Sequence, residues 1–260
     1  MKKILTIAGS DSSGGAGIQA DIKTFSAHEV FGMSIITAVT AQNTEGVFAV
    51  QDIRPDIIQK QIEVIFDDIP VDGVKIGMVS KTETIKIIAD TLSKYSVKNL
   101  VLDPVMISKS GYHLLEPEAK EALIDHLLPM ARVVTPNLPE AEVITGLKVS
   151  TIEDMKKAAK VIFDMGPKYV LVKGGHLEGE AVDILYDGST FTYYSSPRIN
   201  TINTHGTGCT LSSAIAANLG KGLNITEAID EAKGYITKAI QESFSIGKGV
   251  GPVHHFYKWY

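Results

Sequence analysis

The sequence predicts an α/β fold in three layers: a mostly parallel central sheet, helices on both faces and an antiparallel hairpin at the edge. Three observations carry this expectation. Short β-branched runs alternate with longer helical patterns almost to the end of the 260 residues. The strand runs are continuously apolar, as expected of strands buried on both faces. Late in the chain Asp187-Gly188 separates two β-rich runs, the mark of a hairpin, before the chain returns to helices. A (β/α)8 barrel also alternates strands and helices, but the late hairpin and the consecutive C-terminal helices fit it poorly.

Taken in order, KILTIAG reads as the first strand and GAGIQADIKTFSAHEV as the helix after it. Ser34–Gln42 is a strand ending on polar residues, DIIQKQIEVIFDDI a helix, and Asp72–Val79 a strand. KTETIKIIADTLSKY is helical, Asn99–Met106 a strand, and EPEAKEALIDHLLPMA a helix with Pro117 in its first turn, where proline is tolerated. Then follow the strand RVVTPN, the helices LPEAEVITG and TIEDMKKAAKVIFDMG, and the strand Lys168–Gly175. The hairpin AVDILYDGSTFTYYSSPRI leads to two helices, CTLSSAIAANLGKG and NITEAIDEAKGYITKAIQESF. No linker, repeat or low-complexity tract interrupts this, so one domain over 1–260 is expected.

Composition narrows the function classes. A formal net charge of −5 leaves no electrostatic footprint for nucleic acid or an anionic membrane. A phosphorylated ligand must then be held by a local site. The single cysteine excludes an intrachain disulfide and a cysteine-cluster zinc site, and it fits a reducing cytoplasm. The apolar run Ile4 to Ala8 is too short for a signal peptide, and no stretch approaches a membrane span. A cytoplasmic protein is expected.

In open parallel sheets ligands bind at the carboxyl ends of the strands. Those ends carry Gly9–Gly17, Gln42–Asn43, Gly77–Met78, Asp103-Pro104, Asn137 and Lys173–His176. Gly15-x-Gly17-x-x-Ala20 matches a dinucleotide fingerprint, but Asp11, Ser12, Ser13 and Gly14 separate it from the strand. A tight turn before a helix, or a cradle of backbone amides with Asp11 or Asp21 available for hydrogen bonds, accounts for it better. Neither a P-loop nor the G-x-S-x-G elbow of hydrolases is present.

The segment THGTGCTLSSA carries more. Gly206 and Gly208 allow close backbone approach to a ligand, and Cys209 falls in the first turn of a helix. Unpaired N–H groups and the helix dipole there favour an anion and lower a thiol pKa. A capped turn around a buried free cysteine is the plain alternative. Lys173, at a strand end before two glycines, can reach a phosphate. Asn137 and Glu140, three apart with Pro139 between them, could face a hydrated Mg²⁺ or simply cap a helix. His254-His255, beside the aromatic tail FYKWY, reads as packing.

Together these segments resemble the ribokinase-like superfamily, and within it the hydroxymethylpyrimidine/phosphomethylpyrimidine kinases of thiamine biosynthesis. TIAGSDSSGGAGIQADIKTFSA, ITAVTAQNTEGV, KIGMV, LDPVMISKSG, TPNLPEAEVITG, VLVKGGH, THGTGCTLSSAIAANLGKG and GKGVGPVHHF occur in order and span almost the whole chain. The resemblance implies ATP-dependent phosphorylation of 4-amino-5-hydroxymethyl-2-methylpyrimidine to its monophosphate and then to the diphosphate. It implies an anion hole from Gly206, Thr207, Gly208 and Cys209, with Cys209 as a thiolate-leaning group that accepts or relays the proton of the attacking hydroxyl. Lys173, with Thr207, Asn137 and Lys109, would bind ATP. Glu140, Asn137 and Asp103 would hold Mg²⁺. Gln42, Asp21, Gly9, Met78 and Val105 would bind the pyrimidine, and Ser108–Leu115 would be a lid.

A homodimer is a further implication of the resemblance. The nearest rival is a pyridoxal or pyridoxine kinase of the same branch, weakened by Ser108 and Ser110 where such kinases carry a second cysteine. A non-catalytic binding protein would lack the anion hole, Lys173 or the metal pair, and a dinucleotide-dependent oxidoreductase would bind NAD(P) rather than Mg·ATP.

Overall fold

The computed structural model describes residues 1–107, 111–112, 114–175 and 181–260. Nine strands form one sheet in the order β3-β2-β1-β4-β5-β6-β7-β8-β9. β1 (Lys3–Asp11), β2 (Phe31–Gln42), β4 (Gly73–Ile76), β5 (Leu100–Leu102), β6 (Val133–Val134) and β7 (Val170–Val172) are parallel. β8 (Ala181–Tyr186) and β9 (Phe191–Ser196) form the expected hairpin, and β8 also runs antiparallel to β7. The run 47–52, unassigned from sequence, forms β3 (Val47–Asp52) antiparallel to β2. Its side chains are half-buried or exposed, so it lacks the apolar continuity that marks the inner strands. Both sheet edges are therefore antiparallel, where one edge hairpin was expected.

The inner strands are short but wholly buried, and their residues alternate between two cores. Leu100 and Leu102 face one side and Val101 the other; Val134 and Val133 divide likewise, as do Val170 and Val172 against Leu171. On the first side pack α2 (Pro55–Phe66), α3 (Thr82–Leu92), α5 (Leu138–Thr145) and α6 (Ile152–Phe163). The predicted helix at 116–131 joins them as α4 (Lys120–Ala122), extended by 3-10 and π turns from Pro117 to Met130. On the second side lie α1 (Gly17–Ala27), α7 (Thr207–Lys221) and α8 (Ile225–Gln241).

Helix α7 is buried on every side from Thr210 to Gly220. Small residues permit this: a Cβ on Gly220 would lie 2.2 Å from Ile4 Cδ1, and one on Gly73 of β4 would lie 3.3 Å from the Ala216 carbonyl. α7 consequently lies against the sheet with its first turn at the carboxyl ends of β4 and β5.

A charge is locked into this packing. Lys75, in the middle of β4, has no exposed surface, and neither does Asp21 on α1. The Lys75 Nζ donates to Asp21 Oδ1 and Oδ2 at 3.0 and 2.9 Å. Thr6 of β1 donates to Asp21 Oδ2 at 2.6 Å, and Ser213 of α7 to Oδ1 at 2.6 Å. Burial works against the ammonium, yet Asp21 foremost, with Cys209 and Asp103, holds it above the usual lysine range. One carboxylate thus joins two strands and two helices. Breaking a buried pair from one side leaves an uncompensated charge, at about 3–5 kcal/mol, whereas replacing both partners by apolar residues is often close to neutral. Lys75→Met and Asp21→Leu are each expected to lower unfolding stability by about that amount, and the double variant by clearly less than their sum. Chemical denaturation of the three variants checks this, and strict additivity would show that the pair does not act as a unit.

Candidate functional site

Two glycine loops meet at the strand ends. After β1 the chain turns through Ser12–Ala16 around the Asp11 carboxylate. Oδ1 accepts from the Ser13 amide and hydroxyl at 2.8 and 2.7 Å, and Oδ2 from the Gly15 and Ala16 amides at 3.1 and 2.7 Å. His205 Nε2, from the second loop, lies 2.8 Å from Oδ2. A Cβ on Gly206 would fall 1.8 Å from the Gly15 carbonyl oxygen, and Gly206 has φ +77°. Only glycine fits there, because both the backbone conformation and the space exclude a side chain. The first loop is therefore a turn organised by Asp11, with its glycines serving the contact to Gly206. A dinucleotide fingerprint is not needed to explain them.

This seam sets the first turns of α1 and α7 side by side. Gly206 caps α7 with no side-chain hydrogen bond, and Ala16 caps α1 in the same way. α5, α6 and α8 begin with side-chain caps from Asn137, Thr151 and Asn224, whereas α2 and α3, like α1 and α7, begin without one. The Thr207 amide turns to the Thr204 carbonyl at 3.4 Å, and the Gly208 and Cys209 N–H groups are left for a ligand, at the end where the helix dipole favours negative charge. Thr207 opens the helix, its hydroxyl donating to the Thr204 carbonyl at 2.8 Å.

Facing that turn is a cluster of charges. Lys173 Nζ donates to Asp103 Oδ1 at 2.8 Å, and a Cβ on Gly208 would lie 3.4 Å from the same Nζ and 3.7 Å from Asp103 Oδ2. Thr135 and Ser212 also donate to Asp103, at 3.1 and 3.3 Å. Burial opposes ionisation of Asp103, but Lys173 and then Lys75 hold its carboxyl below the usual range. Lys173 is held above its usual range by Asp103 and Glu140 against the same burial. Burial pushes Glu140 up to about 7, with Lys173 opposing the rise and Asp103 adding to it.

Asn137 and Glu140 form a reciprocal capping box. The Asn137 amide donates to Glu140 Oε2 at 2.7 Å, and the Glu140 amide to Asn137 Oδ1 at 2.9 Å. The expectation that both are metal ligands is corrected in part, since the Asn137 oxygen already serves α5. Glu140 keeps Oε1 without a bond from any described residue, beside Asp103. No group of three or more His, Cys, Asp or Glu suited to a metal occurs among the described residues. Mg²⁺ retains most of its waters and takes one or two carboxylates plus substrate phosphates, so the donor set fits that ion.

The phosphomethylpyrimidine kinase family matches residues 11–254 of the chain. The hydroxymethylpyrimidine/phosphomethylpyrimidine kinase of Rhizobium meliloti is 54% identical over 98% of this chain and 97% of its own length. The chain belongs to the phosphomethylpyrimidine kinase family. Among solved structures, the phosphomethylpyrimidine kinase of Clostridium difficile 630 is 59% identical with a TM-score of 0.83, covering 92% of this chain and all of that one. An ADP complex of Bacillus subtilis pyridoxal kinase is 46% identical with a TM-score of 0.92, covering 98% and 97%. The fold is thus the ribokinase-like one that the resemblance implied.

The residues expected to bind the pyrimidine in this kinase are not all placed alike. Gly9 and Met78 touch, for a Cβ on Gly9 would lie 2.9 Å from the Met78 sulfur. Gln42, at the end of β2, has its Nε2 3.3 Å from His205 Nε2, and half-buried Val105 follows Asp103 past the end of β5. Asp21 is the exception and a correction. Both its oxygens are taken by Thr6, Lys75 and Ser213 with no exposed surface, so it organises the site from beneath and does not reach a ligand ring. Lys109 and half of the expected lid, residues 108–110 and 113, lie outside the described residues. His254-His255 packs as expected: His255 is buried against the Thr210 hydroxyl at 3.0 Å, and His254 stacks edge-on with Phe244.

Lys75 and the Asp11–His205 pair were missed from sequence. The signal for Lys75 was present: a lone charge inside DGVKIGMV, a run read as buried on both faces, requires a buried partner. His205 gave no such signal, because its partner lies 194 residues away.

The structure also corrects the state of Cys209. Its environment pushes the thiol up to about 11, burial being the main cause, with Asp21 and Asp103 adding to it. Lys75 and a hydrogen bond from the Gly17 amide oppose the rise but do not overcome it. At neutral pH Cys209 is a thiol, and the expected thiolate does not form. Alkylation of this single cysteine by iodoacetamide should accelerate with pH without levelling off below about pH 9, following a midpoint near 11. A plateau near neutral pH would show a preformed thiolate.

Asp11 gives a second expectation. Despite burial, its bonds to His205 and Ser13 lower its carboxyl from 3.8 to about 2. A carboxyl lowered on folding adds stability above its unfolded value and loses it as pH falls toward the folded one. The stability deficit of Asp11→Asn, of order 2 kcal/mol near neutrality, should shrink between about pH 4 and pH 2. Denaturation of both proteins across that range is the measurement, and a deficit independent of pH would assign the loss to loop geometry alone.

Proposed function

We propose that this kinase transfers a phosphoryl group from ATP to the hydroxymethyl group of 4-amino-5-hydroxymethyl-2-methylpyrimidine, and then a second to the monophosphate. Family membership and the near-full-length relatives support the reading. The single structural observation that carries it is the uncapped first turn of α7, Gly206-Thr207-Gly208-Cys209, facing the Lys173–Asp103 pair.

The chemistry follows from that arrangement. Phosphoryl transfer passes through a loose transition state with charge on the transferring oxygens, so positioning and electrostatics do most of the work. The free N–H groups of α7 point to where that charge develops, and Lys173 adds a cation already fixed by Asp103. Thr207 and Lys173 would hold the ATP phosphates, with Asn137 nearby. Mg²⁺, where bound, would neutralise phosphate charge, held by Glu140 and Asp103 together with water. Gln42 would read the amino group and ring nitrogen, with Met78, Gly9 and Val105 against the ring. Cys209, as a thiol, would hold the acceptor hydroxyl beside the helix end and, late in the transfer when bond formation has made the hydroxyl proton acidic, would take that proton while passing its own S–H proton to an oxygen of the transferred phosphate. The reading places the enzyme in the cytoplasm as a homodimer, which sedimentation of the purified chain tests.

A second reading, phosphorylation of pyridoxal, is favoured by one observation: the likeness to the pyridoxal kinase of Bacillus subtilis. The purified chain should be incubated with Mg·ATP and, separately, the hydroxymethylpyrimidine, its monophosphate and pyridoxal, with products resolved by mass. Pyrimidine mono- and diphosphate are expected, with Lys173→Met lowering kcat by roughly 10²–10³-fold. Turnover of pyridoxal alone would replace the proposed substrate.

A further inference from the structure

At the opposite end of α1 and α7 lies a cleft of about 510 Å³, between those helices, α8 and the C-terminal segment. α1 has 11 residues and α7 has 15. At about 1.5 Å per residue the cleft lies roughly 15–20 Å from Gly206–Cys209. Its size is within the range of small-molecule sites, roughly 300–1,000 Å³.

Two acceptors line it without a donor. Asn218 is only 2% exposed, and its Nδ2 donates to the Ala228 carbonyl at 3.1 Å. Its Oδ1 receives no hydrogen bond from any described residue and is left for water or a ligand in the cleft. His28 Nδ1 lies 2.8 Å from the Thr24 carbonyl, which can only accept, so that nitrogen carries the proton. Burial holds His28 down to about 4, with Lys221 and Lys258 adding to the effect. The ring is therefore neutral, and Nε2 is a bare acceptor.

Around these acceptors stand aromatic faces and negative charge. The His28 ring meets Tyr235 edge-on at 4.5 Å, and Tyr235 lies 5.7 Å from Tyr257. Trp259 lines the same cleft half-exposed. Glu29, Asp230 and Glu231 stand there against Lys221 and Lys258. Glu29 has φ +60°, the single non-glycine residue with positive φ among those described. The carbonyl ends of α1 and α7 also point this way, and a helix C-terminus favours a cation.

We propose that this cleft is a second ligand site, for a small planar heterocycle that bears amino donors and a positive charge. The donors satisfy Asn218 Oδ1 and His28 Nε2, the ring stacks on Tyr257 and Trp259, and the charge meets the carboxylates and ring faces. An anion would face bare acceptors, three carboxylates and two helix C-termini, with only Lys221 and Lys258 to offset them.

Trp259 is the chain's one tryptophan, so its fluorescence reports on the cleft directly. The probe is 4-amino-5-aminomethyl-2-methylpyrimidine, whose aminomethyl group is protonated at neutral pH. It should change the Trp259 emission of the full chain saturably, and still do so in a Gln42→Ala variant of the catalytic pocket. The exposed rim pair Asp230→Lys/Glu231→Lys should weaken the response at least tenfold, as should Asn218→Leu where that variant folds. Inorganic phosphate should give no response. No saturable change into the millimolar range, a response unaffected by the rim reversal, or saturation by phosphate in place of the amine would each overturn the proposal.

Discussion

An ammonium group in the middle of a buried strand must find a carboxylate, and the rest of this site depends on where Lys75 finds it. Without exposed surface, the charge is tolerable only with strong pairing and saturated hydrogen bonding. Asp21 supplies both from α1, and Thr6 and Ser213 complete it from β1 and α7. Moving either helix along the sheet would expose a buried charge. That penalty fixes the axial positions of α1 and α7, and so the place where their first turns meet.

The meeting of those turns explains the glycines. The Gly206–Gly15 contact lets the backbone of one loop rest on the other, and the Gly17 amide reaches the Cys209 sulfur. Asp11 and His205 tie the loops from the side. The result is a rigid rim of backbone donors with no side-chain caps to displace. Preorganised donors need little rearrangement when charge develops in front of them.

Electrostatics then divides the labour among the buried groups. Lys173 and Asp103 hold each other charged, Glu140 lies near its neutral point, and Cys209 remains protonated. The thiol state is the result least expected from a helix N-terminus, where cysteine usually acidifies. Here desolvation and two nearby carboxylates outweigh the dipole and Lys75. The same two helices carry the opposite polarity at their other ends, where carbonyl groups, exposed acids and tyrosines surround the remote cleft.

The sequence by itself determined the layered α/β fold, the parallel inner strands, the late hairpin and a helix opening at Cys209, two residues inside its observed start at Thr207. These follow from apolar runs, Asp-Gly and glycine placement, which act over a few residues. It also placed Lys173, Asp103 and Gly208 at strand and helix ends that must lie on one side of a parallel sheet. β3 escaped because an edge strand half in water needs no apolar continuity. Only the tertiary structure decided that Asp21 faces Lys75 rather than a ligand, that Asn137 serves as a helix cap, and that Cys209 stays protonated. Each of those outcomes depends on burial and on charges brought together from distant parts of the chain, and neither quantity exists until the chain has folded.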